Sequence, residues 1–265
     1  MFGPVNILMR KGMPTDLNER QMKIVRDIIP EKARRRLRSL TLESIVNAIA
    51  YVVKTGCQWN MLPTFFPKPR SVYHHFRSWS DRGWFDRLLK ILVGFSRLRR
   101  GMNESPSVAV VDSQSVRQNL PHSEKGVDGY KRVKGIKRHI SVDSNGYPLE
   151  VMVTTANIHD SRGAIPLMVN TLDVYPSVTR FKADKGYRTA LTESLKSCCN
   201  VDLECVKSNF GTSEFIPAKG RWVVERTFSW LENYRRLARN YEQFVRTARH
   251  MAVVACSMFM LRYFR

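Results

Sequence analysis

Val108-Ala109-Val110-Val111 is a continuous apolar run, and it ends on Asp112. A run with no polar alternation suits a strand covered on both faces, so the chain must place layers on either side of it. A carboxylate at the end of such a strand is costly unless something pairs with it. Asp184 closes a second run, around Phe181 and Ala183, and Glu225 lies in a helical, Trp-rich stretch that begins at Arg221. A divalent cation would pair all three. The acids are 72 and 41 residues apart, whereas a local metal loop keeps its ligands within about a dozen residues. Tertiary structure would have to assemble this site.

The pattern around these acids predicts a mixed sheet flanked by helices. After Val108–Val111 comes a long basic loop from Lys125 to Arg138, then strands at 139–143 and 149–154. Asn145-Gly146 between them is a strong hairpin signal. A helix near 161–172 leads to a strand at 178–183, a helix at about 189–197 to a strand near 201–206, and the rest reads as helical. The order β-β-β-α-β-α-β-α argues for an α/β fold. It puts Asp112 at the end of the first strand, Asp184 at the end of the fourth and Glu225 on a late helix. Strand ends in such sheets are where catalytic groups converge.

Ahead of the sheet the sequence reads as helices. Residues 1–14 form a leader with Gly3, Pro4, Gly12 and Pro14. Leu17, Met22, Val25 and Ile28 recur at helical spacing up to Pro30. Thr41 is an N-cap for a second helix that stops at Gly56. Ser71 is read as the cap of a third helix, and a fourth runs from Trp84 to about Leu92. Arg97, Arg99, Arg100 and Gly101 read as a linker. The expected organisation is therefore a leader at 1–14, a helical, helix-turn-helix-like domain at 15–100 and the α/β domain at 107–265.

Charge names the partner class. The 265 residues carry 44 Lys and Arg against 23 Asp and Glu, a net charge of +21. Residues 1–107 hold 20 basic and 8 acidic residues, and 108–265 hold 24 and 15, so the excess is spread over both halves. A polyanion is expected, with nucleic acid ahead of an acidic membrane surface. No apolar run approaches the ~20 residues of a membrane span. Five cysteines with no CxxC pair suggest a reducing, intracellular setting.

Further candidates follow from this charge. Lys131, Arg132, Lys134, Lys137 and Arg138 are read as a phosphate-tracking loop, since no acid falls between Lys131 and Arg138. Arg235 and Arg236 sit on a basic helix face suited to backbone contacts. Lys185 and Arg188 follow Asp184 closely. Arg221 stands one helical turn from Glu225, placed for a phosphate. Asp160 is read as the cap of the helix that follows it, and Trp222 and Trp230 as core residues or base-stacking surfaces.

Six segments in order resemble a known family: Gly56-Cys57-Gln58-Trp59 with Leu62-Pro63, Val111-Asp112-Ser113-Gln114-Ser115, Lys134-Gly135-Ile136-Lys137-Arg138-His139, Ala156-Asn157-Ile158-His159-Asp160, Ala183-Asp184-Lys185-Gly186-Tyr187 and Arg221-Trp222-Val223-Val224-Glu225-Arg226. The chain resembles the DDE transposases of bacterial insertion sequences, in the broad group named after insertion sequence five. That resemblance implies a ribonuclease-H-like catalytic fold and Asp112, Asp184 and Glu225 as a triad binding Mg²⁺, with Mn²⁺ able to substitute. It implies double-stranded DNA as partner, an assembly of at least a dimer on DNA, and a cytoplasmic, nucleoid-associated protein. Related families carry a Tyr three residues before the Arg and a Lys seven after the Glu, where this chain has Ala218 and Glu232. The expected activity is cleavage at element ends and strand transfer. The alternatives are a catalytically silent DNA-binding derivative and a nuclease without joining activity.

Overall fold

A computed structural model describes residues 12–29, 41–184, 187, 196–197, 199–206 and 222–264. Four helices come first: α1 (Glu19–Ile28), α2 (Leu42–Thr55), α3 (Pro69–Asp81) and α4 (Trp84–Leu98). Asn18 starts α1 with a reciprocal capping box, its side chain accepting from the Gln21 amide while Gln21 accepts from the Asn18 amide. Thr41 caps α2 through the Ser44 amide, and Gly56, at φ 73°, ends it in the left-handed conformation that glycine tolerates. At α3 the expectation fails. Pro69 takes the first helical position behind Lys68, because a proline there has no amide to leave unsatisfied; Ser71 lies inside the helix. Helix α4 also runs six residues past its expected end, to Leu98.

The sheet contains β1 (Val108–Arg117), β2 (Gly126–Asp128), β3 (Val133–Val142), β4 (Pro148–Thr155), β5 (Arg180–Asp184) and β6 (Asp202–Val206). Its order is β2-β3-β1-β5-β6, with β4 on the other side of β3. The pairings β1–β3, β2–β3 and β3–β4 are antiparallel, and β1–β5 and β5–β6 are parallel. A mixed sheet was expected, and the Asn145-Gly146 hairpin is present, with Gly146 at φ 79°. Two readings are corrected. The first strand continues five residues beyond Asp112, because its antiparallel partner β3 is ten residues long. The segment 125–138 is mostly strand: β2 and the start of β3 pair within it.

Helix α5 (Asp160–Val174) crosses one face of the sheet, against β3 and β4. The other face takes α6 (Trp222–Glu232), the short α7 (Arg235–Ala238) and α8 (Val245–Leu261). From Thr247 to Leu261 nearly every residue of α8 is buried, and α8 packs against α4, β4 and α2. One hydrophobic cluster therefore runs from Met22 and Val25 through Ile49, Trp79 and Leu92 to Val110, Phe181 and Met260. A further tie is polar: Gln21 Nε2 donates to the Leu261 carbonyl at 2.8 Å. Arg97, expected in a linker, is buried in α4 and ion-paired with the fully buried Asp143 of the β3–β4 turn. No helix among the described residues is long and apolar enough to cross a membrane.

Candidate active site on the central strands

Strand β1 pairs with β5 in parallel from Val108–Arg180 to Val110–Lys182. The pairing stops there; continued by two residues, the same register would set Asp112 level with Asp184. Level residues on neighbouring strands lie about 4.8 Å apart and point to the same face. Asp112 is thus inside β1 rather than at its end, whereas Asp184 ends β5 as expected. The Asp112 carboxylate accepts a hydrogen bond from the Ser113 amide at 2.8 Å.

The face they share is the one α6 covers. Val223, Val224, Thr227, Phe228 and Leu231 bury the apolar side of α6, which packs on β1 and β3. Its middle and its C-terminal end are fixed. Thr227 Oγ1 donates to the Gly146 carbonyl at 2.7 Å, and Arg226 Nη2 donates to the Asn145 carbonyl at 2.7 Å. At the far end Gln114 Nε2 donates to Glu232 at 2.7 Å. Gln114 is two residues from Asp112, so both lie on one face of β1. Glu225 sits in the exposed first turn of this anchored helix.

Tyr187, which the sequence did not single out, joins these acids. It is buried, and its hydroxyl lies within the fields of Asp112, Asp160 and Asp184 and beside Ser113. Burial first, then the charge of Asp112, raises its pKa far above that of an ordinary phenol. It is a neutral hydroxyl near carboxylates. Its presence in the segment Asp184-Lys185-Gly186-Tyr187 was a signal, but the role depends on packing.

On the opposite face of β1, alternate residues build a second polar group. Lys137 Nζ lies 2.7 Å from Asp160, 3.0 Å from the Ile158 carbonyl and 3.4 Å from Asp128. Ser115 donates to Asp128 at 2.5 Å. Burial works to raise the Asp128 pKa, but the Ser115 hydroxyl, the Lys131 amide and the Lys137 charge hold it at about 2. Asp160 is lowered as well, its Lys137 and Ser113 contacts outweighing burial. Asp160 is not the cap of α5. His159 is, accepting from the Ser161 amide through its ring; Asp160, in the first turn, is drawn under the sheet by Lys137.

The basic candidates divide sharply. Lys131, Arg132, Lys134 and Arg235 are exposed. Lys137 and Arg138 are each 4% exposed, which corrects their reading as part of a phosphate-tracking loop. Their β3 positions point them inward, Lys137 to the acids above and Arg138 to the Leu237 carbonyl at 2.7 Å. Arg236 is buried too, held by Glu242 at 2.7 Å and by the Cys57 carbonyl at 3.2 Å. Lys185, Arg188 and Arg221 lie outside the described residues. Trp222 is 48% exposed, so it is not core. The Arg226 guanidinium lies over both Trp222 and Trp230, at 4.2 and 4.5 Å from the ring centres, and Trp230 stacks on Phe259.

The donors suit a hard divalent cation, which takes carboxylate oxygens. Among the described residues no group of three His, Cys, Asp or Glu encloses a metal position. Asp112 and Asp184 lie on neighbouring strands, and Glu225 rides on α6, which packs on β1 and β3. These features define a mixed α/β protein, preceded by helices, with an acidic site on its central strands.

Comparison with known proteins gives the family. Residues 103–260 match the model described as a transposase DDE domain. Residues 17–89 match one described as "Putative transposase of IS4/5 family". A relative from Burkholderia cepacia, named "Putative transposase for insertion sequence element IS402", is 30% identical over 120 residues, 41% of this chain and 54% of that protein. The chain spans about half the length of this curated relative. The chain belongs to the DDE transposase family of insertion sequences.

Proposed function

We propose that this protein is a metal-dependent transposase that cleaves the ends of its insertion sequence and joins the freed 3′ hydroxyl to target DNA. The reading is supported by the parallel register of β1 on β5, which continued by two residues brings Asp112 beside Asp184, and by α6, which bears Glu225, packing on β1 and β3. In this reading the domain of residues 107–265 is ribonuclease-H-like, and the helices of 15–100 bind the terminal inverted repeats of double-stranded DNA. Synapsis of two ends makes the working form a homodimer or a larger assembly, in the cytoplasm and at the nucleoid.

Asp112, Asp184 and Glu225 would hold Mg²⁺, with Mn²⁺ able to substitute. When bound, the ions supply activation of the attacking hydroxyl and stabilisation of the leaving oxygen. The chain's own residues do the rest. The anchored α6 orients Glu225 toward the strand edge. Tyr187, kept protonated, places a neutral hydroxyl beside Ser113 and close to the acids. The exposed Lys131, Arg132, Lys134 and Arg235, with Lys185, Arg188 and Arg221, neutralise backbone phosphates.

The test is a strand-transfer assay with Mg²⁺ on a linear DNA ending in the repeats that flank the coding sequence. Wild type yields cut and joined products, and Asp112→Ala, Asp184→Ala and Glu225→Ala each abolish both. Cut ends without joining indicate a simple nuclease. Binding without cleavage indicates a silent derivative. Joining that survives all three substitutions rejects the assignment of the triad.

A further inference from the structure

Arg226 follows Glu225 in the chain, and its guanidinium lies between two indoles, 4.2 Å from the Trp222 ring centre and 4.5 Å from that of Trp230. Residues 222, 226 and 230 are spaced by four, so they form one ridge along α6. The ridge continues off the helix, because Trp230 stacks on Phe259 of α8 with ring centres 4.9 Å apart. From within this stack Arg226 Nη2 donates to the Asn145 carbonyl at 2.7 Å.

The turn that receives it is firmly mounted. One oxygen of Asp143 accepts from the Asn145 amide at 2.8 Å and the Tyr147 amide at 2.9 Å, and the other pairs with Arg97 of α4. Asn145 Oδ1 also accepts from Arg100 at 3.3 Å. Gly146 lies close under α6: a Cβ there would stand 2.8 Å from Thr227 Oγ1, 3.1 Å from the Val223 carbonyl oxygen and 3.3 Å from Arg226 Nη2. One turn therefore joins the end of α4 to the N-terminal half of α6, the half that carries the exposed Glu225.

The buried Val223 and Val224 hold that half on the sheet, but apolar contact is non-directional and lets a helix roll. A hydrogen bond is directional, and a guanidinium covered on both faces can make it from only one orientation. We propose that Arg226 is a positioning residue for Glu225: its grip on the Asn145 carbonyl, from between Trp222 and Trp230, sets the roll of α6 and so the placement of Glu225 relative to Asp112. The same grip refers Glu225 to α4 as well as to the sheet. This rests on the reading of Glu225 as a metal ligand.

The experiment titrates Mn²⁺ calorimetrically into the full chain bound to an element-end duplex that is already cut, and follows amide hydrogen exchange across residues 223–227 of the metal-free protein. Arg226→Met is expected to weaken Mn²⁺ binding about tenfold, the scale of loss when the support of a metal ligand is disturbed, with duplex affinity unchanged and faster exchange. Gly146→Ala, which pushes on the same contact from the turn, should do the same, and it decides the matter if Arg226→Met fails to fold. Arg226→Lys, which keeps a donor and a charge, should recover most of the affinity. Phe228→Leu, a core change on the same helix, should lower the melting temperature and leave Mn²⁺ affinity unaltered. The inference is overturned if Arg226→Met binds Mn²⁺ as wild type does, if Phe228→Leu weakens binding as much, or if Arg226→Lys is no better than Arg226→Met. If Glu225→Gln leaves Mn²⁺ binding intact, the ligand reading of Glu225 fails and the inference with it; if Glu225→Gln weakens binding and Arg226→Met does not, the inference alone fails.

Discussion

Lys137 Nζ stands 2.7 Å from Asp160 Oδ1 in a buried position between β3 and the start of α5. The same ammonium faces Asp128 and the Ile158 carbonyl. One side chain thus ties the β2–β3 turn, β3 and α5 together beneath the strand that carries Asp112.

Removing that ammonium leaves two carboxylates crowded without a cation. Lys137→Met is expected to cost about 3–5 kcal/mol, the usual loss when one partner of a buried ion pair is deleted. Urea unfolding of the variant against wild type measures it. An unchanged midpoint would mean that the group contributes nothing.

His139 gives a pH dependence. Burial holds its imidazole at about 4, with Asp160 pulling upward and Lys137 pulling down. The unfolded chain protonates near 6.5, so this group's contribution is whole above pH 6.5 and is lost as pH falls toward 4. A loss on the order of 3 kcal/mol is expected across that window, and His139→Gln should flatten it. Asp128 acts in a separate window: its contribution is present above about pH 4 and disappears toward pH 2. Unfolding free energies measured from pH 7 to pH 3 distinguish the two.

Gly163 lets α5 lie against the His139 ring. A Cβ there would meet ring atoms at 2.2 Å, and both the helix and the ring are held by packing. Gly163→Ala should destabilise by about 1–3 kcal/mol through overpacking. Adding His139→Ala should remove most of that penalty, and a double-mutant cycle reads the coupling.

Arg97 and Asp143 join α4 to the β3–β4 turn in the interior. Asp143 also accepts from the Asn145 and Tyr147 amides. Asp143→Ala therefore strands a buried guanidinium and two amides, and should lose about 3–5 kcal/mol. Calorimetry should show the sheet and the N-terminal helices destabilised together, because they share one core.

What the sequence made legible was local. Thr41, Gly56 and Asn145-Gly146 specify their caps and turn through neighbours within four residues, so their roles survive any tertiary arrangement. The apolar runs before Asp112 and Asp184 marked the two central strands for the same reason. The missed features depend on distant partners. Nothing near Lys137 announces Asp160, 23 residues on, or Asp128 across a turn, so a buried ammonium reads as a phosphate contact. Arg138 and Arg236 misled in the same way, their partners being the Leu237 carbonyl and Glu242. Tyr187 acquires meaning only when three carboxylates from separate elements surround it. Ser71 lost its capping role to a stronger local signal, Pro69 at the first helical position.

The central claim is that Asp112, Asp184 and Glu225 form one cation site. Calorimetric titration of Mn²⁺ into the protein bound to an element-end duplex tests it most directly. Wild type should bind with an isotherm that Asp112→Asn and Asp184→Asn each abolish and Glu225→Gln weakens at least tenfold, while all three variants still bind the DNA. Isotherms unchanged in all three variants would contradict the account.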